Sequence, residues 1–154
     1  MADPIIKPTS SEDIAGLAVV LDGTKLFPSQ VLPDLLNPSL AGETEAVWLT
    51  CHYGGRAVGL CYSLPEQLTD GTWNMLALAV RPDLQGKGLG SALVSAAEQH
   101  LKDEGQRILI VETSGKDDFA LTRRFYVRNG YEEEARIRDF WADGDDKLVF
   151  RKAL

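Results

Sequence analysis

Metal-binding side chains are scarce in this chain: among 154 residues there are two cysteines and two histidines. His52 and His100 have no Cys or carboxylate at ligand spacing, so no metal site is expected. Positive charge is also in deficit, with a net charge of −7. A phosphate-binding surface for nucleic acid needs a cationic footprint, so no nucleic-acid partner is expected. No apolar run reaches membrane-spanning length, and Met1-Ala2-Asp3-Pro4 lacks the basic-then-apolar order of a secretion signal. We therefore expect no membrane partner and a cytoplasmic protein. Repeats, low-complexity segments and composition shifts are absent, which points to one domain over 1–154. Hydrophobic content of 44% and charged content of 25% are those of an ordinary globular protein. Cys51 and Cys61 flank Gly54-Gly55, a hairpin turn by composition. A two-residue loop pairs Tyr53 with Arg56, hence Cys51 with Val58 and Cys61 with Trp48. The thiols then do not face each other and are read as reduced core residues.

What the chain does have is concentrated between Trp73 and His100. Trp73 to Val80 is a continuous apolar run, the pattern of a strand buried on both faces. Arg81-Pro82-Asp83 ends it, since proline has no N–H for the ladder. The turn Gln85-Gly86-Lys87-Gly88-Leu89-Gly90 follows and opens directly into a helix. Leu89, Leu93, Ala96, Ala97 and Leu101 share one face of that helix, and Ser95, Glu98, Gln99 and Lys102 lie off it. Glycines before a helix N-terminus leave unsatisfied N–H donors and a partial positive charge open to an anion. Strand, glycine turn and helix together form a phosphate or pyrophosphate site, to which Lys87 can add charge.

Gln85-x-x-Gly88-x-Gly90 behind Leu78-Ala79-Val80-Arg81-Pro82 resembles motif A of the GNAT superfamily of N-acetyltransferases. Arg124-Phe125-Tyr126 followed by Asn129-Gly130-Tyr131 resembles the family's motif B, so the likeness runs from Trp73 to Tyr131. It implies an α/β (α+β) fold, a mixed central sheet of about seven strands flanked by about four helices and splayed where the cofactor enters. It implies acetyl-CoA as co-substrate and direct acetyl transfer, in a ternary complex, to a primary amine of a small molecule or peptide. Backbone groups of Leu78, Ala79 and Val80 would meet the pantetheine arm, one N–H near Leu78 polarising the thioester carbonyl. Gln85, Gly86, Lys87, Gly88, Leu89, Gly90 and Ser91 would hold the pyrophosphate. Tyr126 would be the general acid for the departing thiolate.

Two positions depart from the family pattern. Phe119 stands where motif B often has an asparagine, and Asn74 where some members carry a catalytic glutamate. Glu112, ending the next strand, is the best remaining carboxylate for a base, with an ordered water chain as the alternative. The acidic run Asp139, Asp143, Asp145 and Asp146 could draw in an ammonium group, but Asp-Gly-Asp turn chemistry explains it more simply.

Elsewhere the order β-α-(α)-β-β-β-α-β-α-β-β emerges. Ser11 caps a first helix that Gly23 closes. Pro28, Pro33 and Pro38 break the next stretch into a short helix, with Phe27 and Leu32 packing it down or, alternatively, touching the acceptor. Arg107 to Glu112 is a second apolar strand, Phe119 to Asn129 a helix, and Tyr131 to Phe140 an alternating strand before a last one at Leu148 to Arg151. An exposed strand edge suits a homodimer. Competing readings are a dinucleotide-binding oxidoreductase, built on Gly86-x-Gly88 with Glu112 as ribose acid, and a non-catalytic acyl-CoA-binding module.

Overall fold

A computed structural model describes residues 3–154. β1 (Ile5–Pro8), α1 (Ile14–Thr24), α2 (Leu32–Leu40), β2 (Val47–Tyr53), β3 (Arg56–Pro65), β4 (Thr72–Val80), α3 (Leu89–Asp103), β5 (Ile108–Ser114), α4 (Ala120–Arg128), β6 (Glu132–Ala142) and β7 (Asp145–Ala153) follow in the expected order. The seven strands form one sheet, β1-β2-β3-β4-β5-β7-β6. All neighbours are antiparallel except β4 and β5, which the α3 crossover makes parallel. The fold is thus a mixed α/β sheet with four helices, as the resemblance implied. A dinucleotide-binding fold needs successive parallel βαβ units. The described strands hold a single parallel pair, and that reading falls.

Apolar side chains of the sheet bury on both faces. Leu17, Val20 and Leu21 of α1 and Leu32 and Leu36 of α2 pack with Trp48, Leu60, Ala77 and Ala79. On the other face Leu89, Leu93, Val94, Ala97 and Leu101 of α3 pack with Cys51, Cys61, Met75, Leu109 and Phe150. Leu32 is fully buried and Phe27 packs against the same cluster, so both hold α2 down rather than facing an acceptor.

Several local expectations change. A 3-10 turn over Ser11–Asp13 precedes α1, with Ser10 rather than Ser11 at its cap; the Ser10 N–H donates to Asp13 Oδ2 at 2.9 Å. Lys25, left-handed at φ 57°, ends α1, while Gly23 lies against the Pro82 ring. In the β2–β3 hairpin Tyr53 does pair with Arg56, but a bulge between Cys51 and His52 shifts the rest: Cys51 pairs with Gly59 and Cys61 with Leu49. An extra residue in one strand is invisible to turn-counting. Both cysteines are buried free thiols. Every residue of β6 is exposed, so its alternation has no buried row.

Burial pushes the Asp13 carboxyl up, but the Ser10 N–H and His52, whose Nε2 lies 2.8 Å from Oδ1, together hold it below its ordinary value of 3.8. A lowered folded value gives stability that is complete above 3.8 and is lost as pH falls through the folded value. Asp13→Asn should therefore lower the unfolding free energy measured in urea near neutrality by about 1–3 kcal/mol. The gap should begin to close only below the ordinary Asp value; a pH-independent gap would contradict the assignment.

Candidate active site

β4 and β5 pair only over Thr72↔Ile108, Trp73↔Leu109 and Asn74↔Ile110. Beyond Asn74 they diverge, and the rest of the β4 edge facing β5 has no strand partner. Its other edge follows β3, where Leu60 meets Ala79 and Cys61 meets Leu78. The Arg81 N–H donates to Val58 O at 2.8 Å, toward β3. Backbone groups alternate sides along a strand, so those of Val80 and Leu78 point into the gap and those of Ala79 point to β3. Ala79 also buries its side chain under α1, away from the gap.

A second bulge shapes this edge. Tyr62 pairs with Ala77 and Ser63 with Met75, leaving Leu76 unopposed. Leu76 turns out of the sheet and is 49% exposed, although the apolar run of β4 implied burial on both faces. Bulges beside active sites commonly re-aim one side chain in this way. Nothing in the sequence marks it.

The glycine turn lies where the gap opens. Gln85 Nε2 donates to Val80 O at 3.0 Å and pins the turn to the strand end. Gly86 and Gly88 have φ of 82° and 81°, with open space where a Cβ would stand. Gly88 is the N-cap of α3, whose first internal bond runs from the Ala92 N–H to Gly88 O at 3.0 Å. The N–H groups of Leu89, Gly90 and Ser91 thus have no acceptor within the helix and mark an anion site. The Leu89 side chain is buried in the core. Gly90 serves another purpose: a Cβ there would come within 3.3 Å of the Phe125 ring, so it lets α4 pack against α3. Lys87 is exposed.

Tyr126 comes to the same gap from α4. Arg123 Nη1 donates to Ser114 O at 2.8 Å and ties the helix to the end of β5. The Tyr126 ring is wedged edge-on against Phe125 and Tyr131, at centroid distances of 5.3 and 5.8 Å, and it also touches Phe150. Burial, with the Cys61 thiol beside it, pushes its phenol above the ordinary value of 10.0.

A cleft of about 360 Å³ between the splayed strands is lined by Tyr126, Leu76, Leu78, Glu112, Thr113 and Ser114 among others. Glu112 reaches it but is ion-paired, with Lys147 Nζ 2.5 Å from Oε2. Asn74 does not reach it: the residue is buried, and its Nδ2 donates to Glu66 Oε1 at 2.9 Å. Leu26, Phe119, Trp141 and Asp145 also line the cleft. Of these, sequence reasoning singled out only Phe119, as a departure from motif B, and Asp145, as part of the acidic run. Leu26 and Trp141 come from the α1–α2 connection and the β6–β7 hairpin, which only the fold brings together.

Residues 20–131 match the acetyltransferase (GNAT) family. The chain belongs to that family. An uncharacterized N-acetyltransferase of Methanocaldococcus jannaschii is 29% identical over 96% of this chain and 90% of its own length. The aminoglycoside N(6')-acetyltransferase type 1 of Stenotrophomonas maltophilia is 30% identical over 87% of this chain and 90% of its own. A solved GNAT-family structure from Desulfovibrio desulfuricans superposes with a TM-score of 0.89 at 28% identity, over 98% of this chain and 99% of that one. The chain is accordingly an acyltransferase of the N-acetyltransferase class. Two acetyltransferase structures share the fold alone: an aminoglycoside 6'-N-acetyltransferase with coenzyme A, at 14% identity and a TM-score of 0.76, and one from Salmonella typhimurium with acetyl-CoA, at 16% and 0.78. Among the described residues no helix is long and apolar enough to cross a membrane.

Proposed function

We propose that this GNAT protein transfers an acetyl group from acetyl-CoA to a primary amine by direct attack in a ternary complex. The observation that carries this is the unpaired β4 edge running into the glycine turn. Backbone donors lie along one path, from Leu78 and Val80 to the free N–H groups of Leu89, Gly90 and Ser91. That path suits a pantetheine arm ending in a pyrophosphate. Gln85 keeps the turn in register with the strand, and Gly86 and Gly88 leave room for the anion. Acetyl-CoA supplies the activated acetyl group as a thioester. An N–H at Leu78 polarises the carbonyl and stabilises the developing oxyanion.

The amine must lose a proton on attack. Glu112 accepts it, directly or through water, once the Lys147 contact loosens; Thr113 and Ser114 beside it can order such a water. Tyr126 donates a hydrogen bond to the sulfur as charge builds there. Its raised phenol stays protonated throughout the working range.

Calorimetric titration with acetyl-CoA and NADH in parallel tests the cofactor reading: the first should bind and the second should not. Thiol release on adding an amine tests turnover; binding without release would favour the non-catalytic module. The Tyr126 shift adds a pH expectation. A proton donor whose pKa is raised is lost only above its folded value, so kcat should show no Tyr126-dependent alkaline limb below about pH 10. A limb near pH 8 that vanishes in Tyr126→Phe would overturn the raised phenol, and an unchanged kcat in that variant would overturn the donor role.

A further inference from the structure

Large apolar side chains are exposed around one cleft. Leu26, Leu76, Phe119 and Trp141 are 42, 49, 41 and 46% exposed, and all four line it. They come from the α1–α2 connection, the β4 bulge, the turn before α4 and the β6–β7 hairpin. The rim aromatic is fixed in place: Trp141 Nε1 donates to Thr113 O at 3.4 Å, and Phe140 packs edge-on against the indole at 4.7 Å. Phe119 replaces the polar residue that motif B often has, which makes this wall more apolar still.

Charge in the cleft is limited. Two carboxylates reach it, Glu112 and Asp145. Glu112 is paired with Lys147, whose ammonium also lies over the Phe140 ring at 4.1 Å. Asp145 accepts a hydrogen bond from the Ser114 hydroxyl and has no cationic partner among the described residues. One uncompensated negative charge is left. The hairpin's other acids do not add to it freely: Asp146 binds Arg136 at 2.6 Å and the Asp139 N–H at 2.9 Å, and Asp139 Oδ1 accepts the Gly144 N–H at 2.8 Å. The sequence allowed the acidic hairpin to attract ammonium groups; its carboxylates largely build the turn.

We infer that the acceptor is a small monoamine whose amino group sits a few bonds from a flat apolar group, an arylalkylamine in class. This rests on the acetyltransferase reading above and specifies the same site. One ammonium matches the single free charge at the Glu112–Asp145 end. The ring lies between Leu26 and Trp141, where it removes apolar surface from water and gains an edge or face contact with the indole. An aminoglycoside or polyamine would bring several ammonium groups and hydroxyls to a wall with one charge to offer. Each extra polar group would lose water without a partner. The 30% identity to an aminoglycoside acetyltransferase therefore does not extend to the acceptor.

The test is steady-state kinetics of the whole protein with acetyl-CoA and four acceptors: 2-phenylethylamine, spermidine, kanamycin and a peptide with N-terminal phenylalanine. Acetyl-CoA affinity is measured alongside by calorimetry. Phenylethylamine should exceed spermidine and kanamycin in kcat/KM by about a hundredfold, the scale on which a pocket separates apolar from mismatched polar substrates. Trp141→Ala should raise its KM about tenfold, within the range for losing one apolar contact, and leave the acetyl-CoA Kd unchanged. Preference for either polycation, or for the peptide, overturns the acceptor class while leaving the acetyltransferase intact. So does a gain with hexanoyl-CoA that matches the loss of arylamine activity, since the apolar walls would then serve the acyl chain. Failure to bind acetyl-CoA would sink the underlying reading instead, so the two failures are distinguishable. If Trp141→Ala does not fold, the acceptor ranking of the unmodified protein still decides.

Discussion

Tyr126→Phe is expected to lower kcat by about a hundredfold or more, the usual contribution of a positioned proton donor. The acetyl-CoA Kd should stay within about twofold, because on the proposed reading the pyrophosphate and arm are held by backbone groups of β4 and α3. The substitution deletes one oxygen and keeps the ring, so contacts with Phe125, Tyr131 and Phe150 persist. The hydroxyl borders the open cleft, where water can satisfy it in place of a core partner. Losing it should therefore leave thermal stability nearly equal. That combination separates a chemical role from a structural one. If kcat is unchanged, Tyr126 is a packing residue like its neighbour Phe125. If kcat and stability fall together, the hydroxyl serves the core. Glu112→Gln is the companion variant: a protein base predicts a fall in kcat, a water chain a small one.

The order of elements was legible because each carries its own local signal. The apolar run of β4, the glycine turn and the helical period of α3 are contiguous in sequence, and the structure has them as read. Tyr126 could be named from its place in the motif B resemblance, and Glu112 only as the carboxylate left at the end of the next strand. Three features were not legible. The Cys51/His52 and Leu76 bulges each add one residue to a strand, which no composition rule detects, and each re-aims every side chain beyond it. The Lys147–Glu112 pair joins residues 35 apart through the β5–β7 register, in which Ser114 meets Lys147. The apolar walls Leu26 and Trp141 come from the α1–α2 connection and the end of β6, which only the fold brings to one cleft. Local chemistry predicts elements; the cleft depends on long-range register.

Gly88→Val should weaken acetyl-CoA binding more than tenfold, with kcat at saturating cofactor changed far less. At φ 81° a β-branched residue is a steric outlier, and the strain is about 1–3 kcal/mol. Open space where the Cβ would stand means that no clash adds to it. The chain relieves the strain by rotating out of the left-handed region. Gly88 is the N-cap, so that rotation swings the Leu89, Gly90 and Ser91 N–H groups away from their common target. The side chain also enters the space left for the anion. Gly54→Val provides the control. Gly54 has φ 60° and open space as well, but it lies in the β2–β3 hairpin, away from the cleft. Both variants should lose comparable stability, measured by urea unfolding, and only Gly88→Val should lose cofactor. Equal Kd values for the two would mean that the glycine turn is a tight connection and that the pyrophosphate is held elsewhere. A tenfold change corresponds to about 1.4 kcal/mol, which the backbone strain alone is large enough to supply if the turn is built around the anion.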